Sequence, residues 1–359
     1  MSDWKPVVLR RPGEDWERAE RELDASGVPL PLPSRVAWAR HVMRGNAWLI
    51  AAHDTQGRFG AALAIEIQGL RALPGHYQWR AHHIGRGIVG PAGDIVLRAI
   101  RDLALATPRV LAVNLEFILR DAGDHQHVAQ TLSMLGFRPP PVGRSYVDTI
   151  VVPLKAAEEE ILAGFSWSTR RELRQWSRQA LELRAIENPG YAARLDELAR
   201  EAFQRTGGDW NPRDWPARMQ LGAAEPARSR LVGLFRQDGD DPSSLLAFAW
   251  GCAHGDFAHY DDGGSARVPD IRFRLACPLL WDLIRWARAG GCQWFDMGGV
   301  PPEGHDATGA LKGIAEFKLR FSDVRARVGA EWQFDARPKR RMMVDRLRKI
   351  AQLARATSR

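Results

Sequence analysis

Residues 295–321 read FDMGGVPPEGHDATGALKGIAEFKLRF. The opening is an apolar run that ends in an aspartate and two glycines, the form of a strand passing into a tight turn. The end of the stretch has helical spacing. Over 309–321, Leu311, Ile314, Lys318 and Phe321 fall three, four and three residues apart, on one face. That places Lys318 inside an apolar stripe. Of the 51 basic residues only six are lysines (Lys5, Lys155, Lys312, Lys318, Lys339 and Lys349), and two of them stand in this window. Burying an ammonium is costly unless an anion meets it. Lys318 is therefore either a group that serves developing negative charge or a lysine that snorkels from the stripe to water.

Around this stretch the chain shows one pattern twice. Residues 47–52 and 59–67 are short apolar runs split by the turn HDTQGR, a hairpin signal. The same form returns over 230–260, as RLVGLFR, a polar loop, LLAFAWGCA, a turn and FAHY. Amphipathic helices are expected next, near 94–106 in the first half and 271–289 in the second. Each leads to a strand (110–117 and 292–297), then to a further helix (124–135 and 309–321). A last strand follows in each half, SYVDTIVVPL in the first and VRARVGAEWQF in the second. This repeat implies an α/β (α+β) chain of two tandem acetyltransferase-like (GNAT-like) domains with mixed, largely antiparallel sheets. The expected division is 1–155, then 156–323, then a terminal strand and helix over 324–359.

Composition excludes several classes. The 359 residues are 45% hydrophobic and 26% charged, the make-up of a soluble globular protein. MSDWKPVVLR lacks the apolar core of a signal peptide, and no apolar run approaches bilayer length, so a cytoplasmic protein is expected. Cys252, Cys277 and Cys292 form no CxxC and read as small buried hydrophobes. The histidines show no zinc spacing, and His125 with His127 reads as a solvated loop, so no metal is expected. From Arg337 to Arg359 nine basic residues face one acid, Asp345, a balance of +8 that equals the formal net charge. Val344, Leu347 and Ile350 form a stripe through this tail. It reads as a basic amphipathic helix facing nucleic acid, nucleotide phosphates or an anionic membrane surface. A plain solvated helix is the alternative.

FDMGGV followed by GIAEFKLRF resembles the C-terminal signature of the Fem (FemABX) family of aminoacyl-tRNA-dependent peptidyltransferases. The matching residues are Asp296, Gly298, Gly299, Gly313, Ile314, Phe317, Lys318 and Phe321. LGFRPPPVGRSYVDTIVVPL at 135–154 is similar to the family's Gly-Phe turn and the strand closing its first domain. FSWSTRRELRQWSRQALELR at 165–184 is similar to its Arg-rich opening helix of the second. The resemblance spans roughly 85–325. It implies an active site in the second domain and a return of the chain to the first domain after the FK motif. Some family members insert a long coiled coil in the second domain; here the region between the 165–184 helix and the strand at 230 is short and broken by Pro189, Gly207, Gly208, Pro212 and Pro216, so the chain looks like the compact form.

What the resemblance implies chemically is transfer of an amino acid from aminoacyl-tRNA to an amine of a nucleotide- or lipid-linked muramyl peptide, a step of cell-wall bridge formation, with no cofactor. Such a transfer passes through a tetrahedral oxyanion, where a fixed cation is worth about 3 kcal/mol. Lys318 would supply it. Asp296 would orient the amine, pair with Lys318, or only cap the turn. Phe317, Tyr260, Gly298 and Gly299 would line the substrate path. Arg171, Arg174 and Arg178, spaced as one helical face, would hold phosphates or form a surface stripe. A CoA-dependent N-acyltransferase and a non-catalytic tRNA- or envelope-binding module are the rivals. GRGIVGPAG at 85–93 is the nearest approach to a CoA pyrophosphate loop, with the wrong spacing.

Overall fold

The computed structural model describes residues 3–143, 145–206, 210–237, 239–302 and 310–357, with side chains except those of 206, 310, 311 and 348–357. Gly207 and Gly208, in the region expected to be broken by glycine and proline, lie outside the described residues, as does the side chain of Leu311. The chain divides into two compact units, residues up to Ser145 with Val328 onward, and Tyr146–Arg327.

The first unit is one mixed sheet. Its strands are β1 (Lys5–Leu9), β2 (Ala47–His53), β3 (Phe59–Gly69), β4 (Tyr77–Ile84), β5 (Val110–Ile118) and β13 (Gly329–Phe334), hydrogen-bonded in the order β1-β2-β3-β4-β5-β13. The expected hairpin is β2–β3. Its turn is set by Asp54, whose Oδ1 accepts from the backbone N–H of Gln56 and Arg58 at 2.9 Å each. Between β4 and β5 runs helix α3 (Pro91–Ala106), opened by a proline whose missing N–H costs nothing at the first turn. Its apolar stripe, with Val96, Leu97, Ile100 and Ala104 buried, makes the core against Ile50, Leu63, Trp79 and Phe117. Because this helix crosses over between them, β4 and β5 pair in parallel, while their neighbours are antiparallel. Helix α4 (Ala122–Met134) begins earlier than expected, because Asp121 caps it by accepting from Gly123 N and Asp124 N. His125 and His127 therefore stand on a helix, not in a solvated loop, bonded to Leu119 O and Asp94 Oδ1 at 2.9 Å.

The second unit repeats the plan. Strands β6 (Asp148–Pro153), β7 (Leu181–Ala185), β8 (Ser229–Arg236), β9 (Leu245–Ala253), β10 (Phe257–Ser265), β11 (Trp294–Val300) and β12 (Arg325–Arg327) pair in the order β12-β6-β11-β10-β9-β8-β7. Helix α9 (Ala276–Ala289) crosses between β10 and β11, again the parallel pair. Its Leu280, Leu283, Ile284 and Ala287 are buried with Phe165, Leu234, Phe295 and Phe321. Helices α6 (Trp167–Trp176), α7 (Ala192–Thr206) and α8 (Trp215–Ala224) come before β8, and α10 (Ala310–Lys318) follows β11.

Two expectations are corrected. SYVDTIVVPL does not close the first unit: β6 pairs antiparallel with β11 and with β12, in the second sheet. VRARVGAEWQF is not one strand. Arg325–Arg327 pairs with β6, whereas Gly329–Phe334 pairs with β5 in the first sheet. Strand β6, after α4, thus belongs to the second sheet, and after α10 the chain gives β12 to the second sheet and β13 to the first, so the units part at 145/146 and 327/328 instead of near 155 and 323. Period-two alternation states that a segment is a strand; it does not state which edge the strand covers.

Strand β10 runs five residues past Tyr260, through a register shift between Tyr260 and Asp262. Gly264 permits this, since a Cβ there would lie 2.5 Å from the Leu198 backbone of α7. Backbone cannot yield as a side chain can. Gly264→Ala is expected to destabilise the protein by about 2 kcal/mol or more. Gly251→Ala, which would meet the movable ends of Leu283 at 3.0 and 3.2 Å and the edge of the Trp286 ring at 3.4 Å, should cost clearly less. Urea midpoints of the two variants against wild type check the difference.

Candidate functional site

Residues Asp296 to Gly299 lie within β11 at a register shift, where β6 loses step between Asp296 and Gly299. The bend is a left-handed residue, Gly298 at φ +79°. Asp296 is 0% exposed, and an ionised carboxylate at that depth requires donors on all sides. It has them. Oδ2 accepts from the Tyr146 hydroxyl at 2.8 Å. Oδ1 accepts from the Thr149 hydroxyl, and from Gly298 N at 2.7 Å. Thr149 Oγ1 also lies 2.8 Å from the Gly298 carbonyl oxygen. Tyr146 packs so closely that a Cβ on Gly299 would lie 2.4 Å from its own Cβ.

Lys318, the last residue of α10, is 9% exposed and donates from Nζ to the Gly299 carbonyl at 2.8 Å. It does not snorkel. Burial lowers its pKa from 10.5 to about 8, and the charge of Asp296 offsets part of that fall. The two make no direct ion pair; the Gly298–Gly299 backbone stands between them, and a Cβ on Gly298 would lie 3.2 Å from Nζ. The helix stops at Lys318, so Phe321 reaches the core from the turn beyond it, where its ring meets Phe317 and Phe165 edge-on at 5.5 and 5.1 Å.

Phe317 also lines an open cleft of about 520 Å3 with Ser265, Arg267, Ile271, Phe273 and Arg274. The cleft lies where the chain leaves β10 and enters α9, a helix whose first turn has no side-chain cap. Cys277 N nevertheless donates to Arg274 O at 3.0 Å and residue 278 is a proline, so two of its first three residues have no N–H to give a ligand. The segment 266–275 holds no glycine. In the first unit, by contrast, the glycine-rich 85–93 loop enters α3. There Gly87 approaches Pro29 O and Gly93 approaches Ile88 O, each too closely for a Cβ, and Gly90 N meets His127 Nε2 at 3.3 Å. Its glycines serve packing.

Tyr260 is half-buried on β10. Its ring fills the space over Gly263, where a Cβ would lie 2.2 Å from the hydroxyl, and burial raises its pKa. Arg171, Arg174 and Arg178 are exposed. Only the first two are on α6, which ends at Trp176; Arg178 lies in the following turn, so the three do not form one helical face. Arg171 stacks over Trp167 at 5.4 Å. The cysteines are buried free thiols, and burial pushes Cys292 up to about 12.

Nothing in the 135–154 sequence marks Tyr146 and Thr149 as partners of Asp296, and the sequence expectations did not include them. They also missed a side-chain relay running from the β9–β10 turn onto β10, with both histidines buried. His254 Nε2 meets His259 Nδ1 at 2.9 Å, and His259 Nε2 meets Asp261 Oδ1 at 3.0 Å. His259 is the register partner of Asp296 across the parallel pair. Beside it Arg213 pairs with Asp262 at 2.9 Å. Arg218 is stacked over Trp250 at 4.7 Å, and burial lowers its pKa. Alternation of polar residues in FAHYDD was the available signal.

The parallel pair, the crossover helix and the flanking antiparallel strands define both units as GNAT-type. The acetyltransferase (GNAT) domain family matches residues 167–318, within the second unit. Among solved structures, FemX is similar at 13% identity and a TM-score of 0.71, covering 95% of this chain and 100% of that one. L-PGS from Bacillus licheniformis is similar at 13% identity and a TM-score of 0.51, covering 97% and 98%. No curated protein sequence matches the chain.

The buried ammonium should weigh on stability. Below pH 8 Lys318 is protonated in both the folded and unfolded states, and the fold bears the cost of burying the charge. Lys318→Met is expected to raise stability at pH 7 by about 1–2 kcal/mol. The gain should shrink as pH rises from about 8 towards 10.5, where the unfolded lysine also loses its proton. Denaturation across that range checks it. Gly299→Ala should have the opposite effect, displacing Tyr146 from Asp296 and lowering the melting temperature.

Proposed function

We propose that the chain is an acyltransferase of aminoacyl type, which moves an amino acid from aminoacyl-tRNA to an amine of a nucleotide- or lipid-linked muramyl peptide. The observation that carries this reading is the buried Lys318 ammonium, held on the Gly299 carbonyl beside Asp296. The fold-level likeness to FemX and the FDMGG and FKLRF stretches support it.

In this mechanism the acceptor amine attacks the ester carbonyl and a C–N bond forms. The carbonyl oxygen becomes an oxyanion, which Lys318 stabilises with an N–H it does not spend on Gly299. The C–O bond to the tRNA ribose then breaks, the ribose oxygen leaves with a proton, and the amine gives up its own. The ester is already activated, so positioning and charge stabilisation suffice. Asp296 takes a positioning role, because its wholly buried carboxylate is bound by Tyr146, Thr149 and Gly298 and offers no surface to an amine. It shapes the turn from which Lys318 hangs, and its charge favours the protonated lysine. Phe317, Tyr260 and the Gly298–Gly299 backbone line the substrate path, and Arg171, Arg174 and Arg178 meet polyanionic substrate from the surface.

The cleft where β10 passes into α9 has Arg267 on its rim, with Arg274, which pairs with Glu172; a cationic rim suits a donor bearing phosphate. A tRNA end and CoA both qualify, so CoA-dependent N-acyl transfer is the second reading.

Radiolabel transfer from a pool of charged tRNAs to a nucleotide-linked muramyl pentapeptide separates the two. Wild type is expected to move label and Lys318→Ala to lose about 10²–10³ in kcat. Activity should fall as pH rises through about 8, because the protonated lysine is the working form. Absence of transfer, with CoA released from acetyl-CoA in the presence of an amine, would give the second reading. Activity unchanged in Lys318→Ala would leave a binding module.

A further inference from the structure

We infer that the terminal helix α11 (Pro338–Thr357) is a membrane-surface helix, whose outward face docks on an anionic phospholipid bilayer. This goes beyond the transferase reading and does not depend on it.

The helix has two unlike sides. The inner one is fastened to the first unit: Val344 is wholly buried with Leu70 and Leu111, and Arg341 is buried and pairs with Asp345 at 3.0 Å. At the helix start Arg337 N donates to Leu111 O at 3.2 Å, and its guanidinium to Leu105 O at 2.8 Å. The outer side carries Met342, Met343 and Leu347, exposed at 52%, 46% and 44%. Lys339, Arg340 and Arg346, also exposed, are interleaved with them. Beyond Leu347 the sequence continues Arg348, Lys349, Arg355 and Arg359, without an acid.

Long apolar side chains set among cations on one face of a fastened helix suit the boundary between acyl chains and anionic headgroups. The apolar groups enter, and the cations meet phosphate. Nucleic acid would use the charges and leave the three apolar side chains in water. Among the described residues no helix is long and apolar enough to cross a membrane, so the attachment is to the surface.

Co-sedimentation with phosphatidylcholine vesicles, with and without phosphatidylglycerol, tests this. Wild type should bind the phosphatidylglycerol vesicles and not the neutral ones. Each cation near such a surface is worth about five-fold in affinity, so K339Q/R340Q/R346Q should lose about a hundred-fold. M342S/M343S/L347S should lose binding with every charge in place. Both variants alter exposed side chains, and an unchanged melting curve confirms that they fold. The inference falls if wild type ignores phosphatidylglycerol vesicles. It falls equally if the serine variant binds them as wild type does while both retain tRNA, since the face would then be a general polyanion site. Loss or retention of label transfer does not bear on it.

Discussion

A carboxylate wholly removed from water is the constraint on which the second unit depends. Asp296 can remain there only with hydrogen-bond donors around it, and these come from separate places. Tyr146 and Thr149 reach it from β6 and its approach, and Gly298 N from the turn. This requires β6 beside β11, a glycine at φ +79°, and a second glycine flat enough for Tyr146 to pass. The result is a carbonyl, that of Gly299, aimed at a position where an ammonium is held with little solvent. Burial brings the pKa of that lysine down to about 8, with the charge of Asp296 opposing the fall.

The exchange of closing strands has a related physical basis. In each unit the outer strand of the parallel pair would otherwise be an open edge of unpaired N–H and C=O groups. β11 is covered by β6 and β5 by β13. The chain after α4 thus covers β11 with β6, and the chain after α10, once past β12, covers β5 with β13. For the second unit that choice also delivers Tyr146 and Thr149 to Asp296, so covering the edge and building the site are one event.

Legibility followed the range of the interaction. Lys318 stood out because a cation in an apolar stripe is a local contradiction, and Asp296 because it ends an apolar run before two glycines. The partners of Asp296 are 150 and 147 residues away in the chain, and nothing in SYVDTIVV marks them as donors to a buried acid. The His254–His259–Asp261 chain was hidden for a different reason. Its residues are near neighbours in sequence, but that the two histidine rings meet in a buried turn, with Asp261 at a register shift of β10, is set by the pairing of β9 with β10. The arginines of 171–178 show the converse error, since their spacing assumed a helix that in fact ends at Trp176.

The sequence by itself determined the elements: the hairpins, the amphipathic crossover helices, the duplicated order, and a lysine that had to be either buried with a partner or turned out to water. These follow from hydrophobic period and local turn chemistry, which act over a few residues. The tertiary structure alone decided which sheet each closing strand joined, that Asp296 is a buried strut instead of an open ligand, and that the Lys318 ammonium hangs from a backbone carbonyl. Those outcomes depend on desolvation and on hydrogen-bond partners brought together from distant segments, and a burial cost has no value until the fold has excluded the water.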